Sequence, residues 1–177
     1  MTQATARPWQ LAQLNIAHAL YPLDDPRMAD FVGQLDAINA LAEASPGFVW
    51  RLKSDDSDSD NATDIQAADH PNLLVNMSVW TGVDALRDYV YKSAHRLVLA
   101  RRRAWFSTAP GARQVWWWVP TDHRPTVDEA RKRLRHLDTH GPSAYAFTFK
   151  TAHPMPEAGD RTELTAPVSP GEMRNLP

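Results

Sequence analysis

Residues 72–106 constrain the fold most, because they predict a strand that leads directly into a long helix. In the first nine of them, apolar side chains alternate with a second set that includes Asn76 and Ser78. This period of two predicts a strand with one wholly apolar face. Thr81, with Asp84 three residues later, is typical of a capping box and predicts that the helix starts there. Four residues are predicted to form the core stripe of this helix: Leu86, Val90, Leu97 and Ala104.

His95 lies outside that stripe. On a continuous helix it falls opposite the core residues, beside Tyr91, Leu99 and Arg102. A histidine placed there needs a second packing surface, a kink or solvent, so it is the first candidate for a functional site. Neutral imidazole binds iron and transfers protons near neutral pH. The alternative is a helix-surface or interface histidine.

The remaining patterns complete an α+β order of elements. Strands are predicted over residues 9–16, 48–52, 113–119 and 144–149, with one helix starting at Asp25-Pro26 and another at Thr126. The order is β-α-β-β-α-β followed by α-β. It predicts a ferredoxin-like split core, with four antiparallel strands and two helices on one face, plus an added helix and strand.

The strand RQVWWWV (113–119) is apolar on both faces, which is typical of a strand buried on both sides. The two core helices cover only one face of the sheet. A second copy of the chain is the natural cover for the other face, so the sequence predicts a two-fold homodimer.

Polar and aromatic side chains near the strands are candidate site residues. Asn15 and His18 lie at or past the end of the first strand. Asn76 and Ser78 are placed to orient a ligand, or are satisfied by neighbouring strands. Arg102, within an Arg101–Arg103 run, is a candidate clamp for carboxylates, or simply a cation near a helix C-terminus. Four aromatic residues either line a pocket or fill the core or an interface: Trp80, Tyr91, Trp116 and Trp118.

Composition bounds the remaining classes. A chain of 177 residues predicts one domain, here residues 1–150, followed by a Pro-rich and mostly disordered tail at 151–177. Net charge −2 gives no field that favours nucleic acid or an anionic membrane, and zero Cys excludes disulfides and thiolate metal sites. The absence of a signal-like or membrane-spanning run predicts a cytoplasmic protein. The acidic run 54–61 has the first spacings of a calcium loop. It lacks the turn Gly and the bidentate Glu, so a solvated loop is predicted.

Four blocks occurring in order carry a family resemblance: LNIA, SVW…ALRDYVYKSAHR…RRRAWF, VWWWVPTDHRPTVDEARKRL and GPSAYAFTF. Together, over residues 9–150, they resemble a bacterial domain family of unknown function. This resemblance implies the dimeric α/β-barrel superfamily. More distantly, the strand that ends in Trp80 and leads to a helix bearing His95 is similar to antibiotic-biosynthesis monooxygenases and their haem-degrading relatives. That likeness implies His95 as an axial haem ligand, haem as the candidate cofactor (otherwise none), and Asn15 or Asn76 as the catalytic Asn.

Three functions follow from these observations. The first is a monooxygenase-like oxidoreductase that acts on an aromatic or polycyclic small molecule in an apolar cavity. His95 is then the acid/base or the haem ligand, with Arg102 binding the cofactor. The second is a non-redox cyclase or isomerase in which His95 moves a proton. The third is a non-catalytic binding module whose Trp-rich strand is an interface. Fold alone does not choose among them.

Overall fold

The computed structural model describes residues 9–53, 72–93, 95–108 and 111–157. Within these ranges the strands are β1 (Trp9–His18), β2 (Phe48–Arg51), β3 (Leu73–Trp80) and β4 (Gln114–Pro120). The helices are α1 (Ala29–Val32), α2 (Leu35–Glu43), α3 (Val83–Lys92), α4 (His95–Arg101) and α5 (Val127–His140). Single 3₁₀ turns occur at Pro26–Met28, Arg102–Ala104 and Phe149–Thr151.

The strands form one sheet in the order β2-β3-β1-β4, and every neighbouring pair is antiparallel. This order, with helices between β1 and β2 and between β3 and β4, confirms the predicted ferredoxin-like α+β core. The predicted N-cap at Asp25 is confirmed, since its carboxylate accepts from the Arg27 amide at 2.9 Å. The segment that follows is not one helix, because it begins as a 3₁₀ turn and is then divided into α1 and α2.

The sheet has two differently packed faces. The first, called the α3 face, carries two apolar clusters. One is built around Trp80, Trp116 and Leu86, and the other around Leu74, Phe31 and Trp105. The second, called the α5 face, carries the side chains that alternate with these, and they pack with three residues of α5: Ala130, Leu134 and Leu137.

The α5 face changes the argument for a dimer. Val115, Trp117 and Val119, whose second apolar face required a cover, are buried with α5 of the same chain in one cluster. The added helix therefore supplies the cover over β4 that a second subunit was expected to supply. The homodimer stays a prediction, and the apolar second face of β4 no longer supports it.

The long helix predicted from Thr81 onward is broken. α3 ends at Lys92, the backbone of its C-cap Ser93 is extended (φ −94°, ψ 177°), and α4 begins at His95. The predicted capping box is wrong, because Gly82 is the N-cap and no side chain caps the helix. The stripe is only partly correct: Leu86 is 2% exposed, but Leu97 is 60% exposed. The Ser93 hydroxyl bonds to the Tyr89 carbonyl and accepts from the His95 amide, a local pattern that competes with helix continuation.

The predicted last strand is reduced to one bridge. Phe147 exchanges two backbone hydrogen bonds with Trp116 on the outer edge of β4, at 2.8 and 2.9 Å. The chain then stays on the domain to Glu157: the Trp118 indole donates to the His153 carbonyl at 3.1 Å, and Met155 packs on the α3-face cluster. The acidic run 54–61 and most of the predicted tail lie outside the described residues. Among the described helices, none has both the length and the apolar character that a membrane crossing requires.

Candidate functional site

A row of buried polar side chains crosses the α3 face between its two apolar clusters. Directly opposed residues of an antiparallel sheet share a face, so the pairings of Arg51 with Ser78, Ser78 with Gln13 and Gln13 with Trp116 place these four side chains in line. Arg51 and Ser78 are each 7% exposed and Gln13 is 6% exposed. Polar groups buried at this depth are held by hydrogen bonds or serve a function.

The row is joined by hydrogen bonds into a network. The Gln13 Nε2 donates to Asn76 Oδ1 at 2.8 Å and to Ser78 Oγ at 3.0 Å. The Trp80 indole Nε1 donates to the same Ser78 oxygen at 2.9 Å. The network therefore connects the aromatic cluster to Asn76, the next residue of β3 on this face.

Asn76 and Asn15 open the network to solvent. They are paired in register on β3 and β1, and both are exposed. An aromatic and polar surface that is buried at one end and open at the other can admit a small molecule. Two of the three predicted catalytic residues thus lie side by side.

His95, the third, lies over the same face. Its ring centroid is 4.9 Å from that of Tyr89, which in turn stacks on Trp80 at 5.0 Å. One helical turn later, Val98 packs with the second apolar cluster, so His95 lies between the two clusters. Burial lowers the pKa of His95, and the backbone of Val90 partly offsets this. The His95 Nδ1 is buried and has no hydrogen-bond partner among the residues described here.

Tyr89 and Arg51 complete the surroundings of the site. Burial raises the pKa of Tyr89 to about 12, so the phenol stays protonated at neutral pH. Its hydroxyl donates to the Ile38 carbonyl of α2 at 3.4 Å. Arg51 Nε donates to Glu43 Oε1 at 2.8 Å, and this contact lowers the pKa of Glu43. The two residues tie α2 and α3 to the sheet beside the polar row.

Other predicted site residues lie elsewhere. The Arg102 guanidinium is exposed and donates to the Leu99 carbonyl at 2.8 Å, near the end of its own helix. Tyr91 is 50% exposed and contacts Phe149. His18 is at the far end of β1.

The two remaining tryptophans are buried. Trp118 is held by the chain near His153. Trp116 is 1% exposed in the row itself, and its buried indole Nε1 has no hydrogen-bond partner within the described ranges.

Three residues of the site were missed in the sequence analysis: Gln13, Arg51 and Tyr89. Gln13 and Arg51 had a signal, because each is a polar residue inside an apolar strand segment. Tyr89 had no such signal, because its contact with His95 depends on the break between α3 and α4.

Two clefts of the described structure lie away from His95. One, of about 450 Å³, lies between the end of β4 and α5 and includes His123, Glu129 and Lys132. The other, of about 400 Å³, lies between the start of α3 and the chain near His153. The predicted apolar cavity around His95 is thus not among them.

Fold and site together define a ferredoxin-like α+β protein with a polar row set in an aromatic sheet face. The chain belongs to the family described as domain of unknown function DUF3291, whose model matches residues 10–163. No curated protein matches it.

Several solved structures share low similarity with the chain. SnoaB, a cofactor-independent oxygenase from Streptomyces nogalater, is 20% identical with a TM-score of 0.40, covering 68% of this chain and 98% of its own. NE2512, of unknown function from Nitrosomonas europaea, is 14% identical with a TM-score of 0.40, covering 68% and 96%. MupZ from Pseudomonas fluorescens is 9% identical with a TM-score of 0.38, covering 94% and 99%.

Proposed function

We propose that this protein is a small-molecule, monooxygenase-like oxidoreductase that acts on an aromatic or polycyclic substrate at the α3 face. The observation that carries the proposal is the hydrogen-bond network that runs from Trp80 through Ser78 and Gln13 to Asn76, on the sheet face over which the half-buried His95 lies. An aromatic substrate placed on this face has aromatic rings to pack against and amides to orient its oxygen atoms.

The chemistry proposed for the site is proton removal followed by reaction with oxygen. Because burial lowers the pKa of His95, the ring is neutral at pH 7 and able to accept a proton from a phenol or from an acidic C–H next to aromatic rings. The carbanion or phenolate that remains is electron-rich enough to reduce O₂ directly. Converting a CH₂ group to C=O with one O₂ places one oxygen atom in the product and releases the other as water, and the substrate carbon supplies all four electrons that reduce O₂.

The amides of Asn15 and Asn76 are suited to stabilising the charge that develops on the substrate oxygen. Both side chains are exposed on the same face and adjacent in register. Fixed amide donors aimed at a developing oxyanion lower the barrier by electrostatic stabilisation.

A haem-dependent version of the reaction fits these residues poorly. The His95 ring packs against Tyr89, and Nδ1, one of the two ring nitrogens that could bind iron, is enclosed. Arg102, the candidate clamp for carboxylates, donates instead to the Leu99 carbonyl of α4. We therefore derive no step through iron. An absorption spectrum of the pure protein during haem titration tests this choice, because a sharp and saturable Soret band lost in His95→Ala would favour haem.

Oxygen uptake tests the proposal. Electron-rich polycyclic phenols are screened with an oxygen electrode while product is followed by mass spectrometry in ¹⁸O₂. We expect ¹⁸O in the product and a loss of at least about 100-fold in turnover for His95→Ala, the usual cost of removing a general base. His140→Ala, at the exposed end of α5, is the matched control and retains turnover. Product formed without oxygen uptake would instead identify a cyclase or isomerase.

The predicted homodimer and cytoplasmic location belong to the same proposal. Sedimentation equilibrium separates one copy of the chain from two. A monomer that turns over at full rate would remove the dimer from the proposal and leave the site intact.

A further inference from the structure

The buried amide of Gln13 controls which atoms of Asn76 and Ser78 face a ligand. An amide nitrogen carries two hydrogens, and the Gln13 Nε2 uses one on Asn76 Oδ1 at 2.8 Å and the other on Ser78 Oγ at 3.0 Å. Gln13 is only 6% exposed, so its amide is held by these neighbours rather than by water.

The hydrogen bond from Gln13 fixes the orientation of the Asn76 side-chain amide. Its Oδ1 is turned inward to accept from Gln13, so its Nδ2 hydrogens are on the other side of the amide, and Asn76 is exposed. The open end of the hydrogen-bond network, at Asn76, therefore presents a hydrogen-bond donor.

Ser78 likewise keeps a hydrogen that it can donate to a ligand. An indole N–H donates and never accepts, so Ser78 Oγ is an acceptor from Trp80 at 2.9 Å as well as from Gln13. With its oxygen accepting twice, the hydroxyl hydrogen of Ser78 is the atom left to donate.

We propose that Gln13 is a positioning residue that makes the site a hydrogen-bond donor surface, so that it selects ligands presenting an acceptor oxygen, such as a phenolate or a quinone-type carbonyl. The inference rests on the proposed function only in taking the α3 face as the ligand site. It deepens that function by naming the ligand atom that Asn76 binds.

A matched pair of probes tests the inference without turnover. Anthraquinone-2-sulfonate presents carbonyl acceptors, and anthracene-2-sulfonate has the same fused rings and sulfonate without them. Affinities are measured anaerobically by calorimetry. We expect the wild-type protein to bind the quinone about two- to tenfold more tightly than the arene, as one hydrogen bond contributes.

The Gln13→Glu variant is designed to reverse the direction of the hydrogen bond between this side chain and Asn76. An ionised carboxylate only accepts, so at a pH that keeps this buried group charged it draws the Asn76 amide hydrogens inward and turns Oδ1 toward the ligand. We expect the quinone preference to disappear while arene affinity is unchanged. Gln13→Met, of the same length with no amide, frees Asn76 to rotate and gives an intermediate ratio. The ratio of the two affinities does not move if Gln13 only supports folding.

Two results would overturn the inference: a wild-type protein that binds both probes equally, or not at all, and a Gln13→Glu variant that keeps the full quinone preference. If both Gln13 variants fail to fold, the side-chain amide signals of Asn76 in the wild-type protein decide the question, with assignment from their loss in Asn76→Asp. A quinone-induced shift larger than the arene-induced one supports the inference, and equal shifts refute it. Because the binding test needs no oxygen, a protein that fails to consume oxygen still answers it, so the two proposals fail separately.

Discussion

Replacing Glu129 should weaken the attachment of α5 to the sheet and lower the stability of the protein. Glu129 Oε1 accepts from the indole Nε1 of Trp117 on β4 at 2.9 Å and lies 3.4 Å from the Nε of Arg133. Its Oε2 is 2.7 Å from Nε2 of His123. One carboxylate thus connects the buried strand, the buried guanidinium of Arg133 and the loop after β4.

The expected loss follows from what Glu129→Ala leaves behind. A buried indole N–H without an acceptor costs about 1–3 kcal/mol. Breaking a buried ion pair costs about 3–5 kcal/mol. Here that figure is an upper limit, because the Tyr145 carbonyl still accepts from Arg133 and Glu129 itself is partly exposed. We expect a loss of about 3 kcal/mol, or a fall in Tm of about 6–12 °C for a chain of this size.

Urea unfolding followed by far-ultraviolet circular dichroism measures this loss, with an unchanged m-value as the check on two-state behaviour. Glu129→Gln is the matched control, since its amide oxygen still accepts from Trp117, and we expect a loss of about 1 kcal/mol. A loss below about 1 kcal/mol in Glu129→Ala would refute the reasoning. A Gln variant as unstable as the Ala variant would show that the charge beside Arg133, not the indole bond, holds the helix.

Further predictions concern the site and the turn that supports it. The fold lowers the pKa of His95 below 6.5, so below about pH 6.5 the unfolded chain binds more protons than the folded protein and the stability of the fold drops. In His95→Phe, the urea midpoint should therefore fall less between pH 7.5 and pH 5 than it does in the wild-type protein. Tyr89, with a pKa of about 12, should be missing from a phenolate absorbance titration that stops at pH 11, and Tyr89→Phe should leave that titration unchanged. Gly47→Ala should cost about 2–5 kcal/mol, because Gly47 has φ +83° and a Cβ there would lie 2.5 Å from both Ala85 Cβ and Thr81 Oγ1; a thermal melt equal to wild type would contradict this.

The sheet was predictable because its signal is local. The alternation around Asn76 and Ser78 reports a strand with two different faces, and the structure keeps both polar residues on one face. The capping of α5 by Thr126, which accepts from the Glu129 amide at 3.2 Å, was likewise readable from residue spacing.

The misses came where tertiary contacts override a local pattern. A helical wheel assumes a continuous helix, whereas the Ser93 hydroxyl competes for the backbone and starts a new helix at His95. That break brings His95 into contact with Tyr89, and the periodicity of the sequence does not predict this contact. The same limit applies to the dimer, because apolar residues on both faces of β4 predict a cover without showing which chain supplies it.

The bridge between Phe147 and Trp116 also bears on solubility. An exposed strand edge is a template for pairing with other chains and for aggregation. Here the middle of the β4 edge is already hydrogen-bonded to the protein's own backbone, and the opposite edge strand, β2, is only four residues long. In the described structure, a sheet rich in tryptophan thus leaves little continuous edge on which a second molecule could extend it.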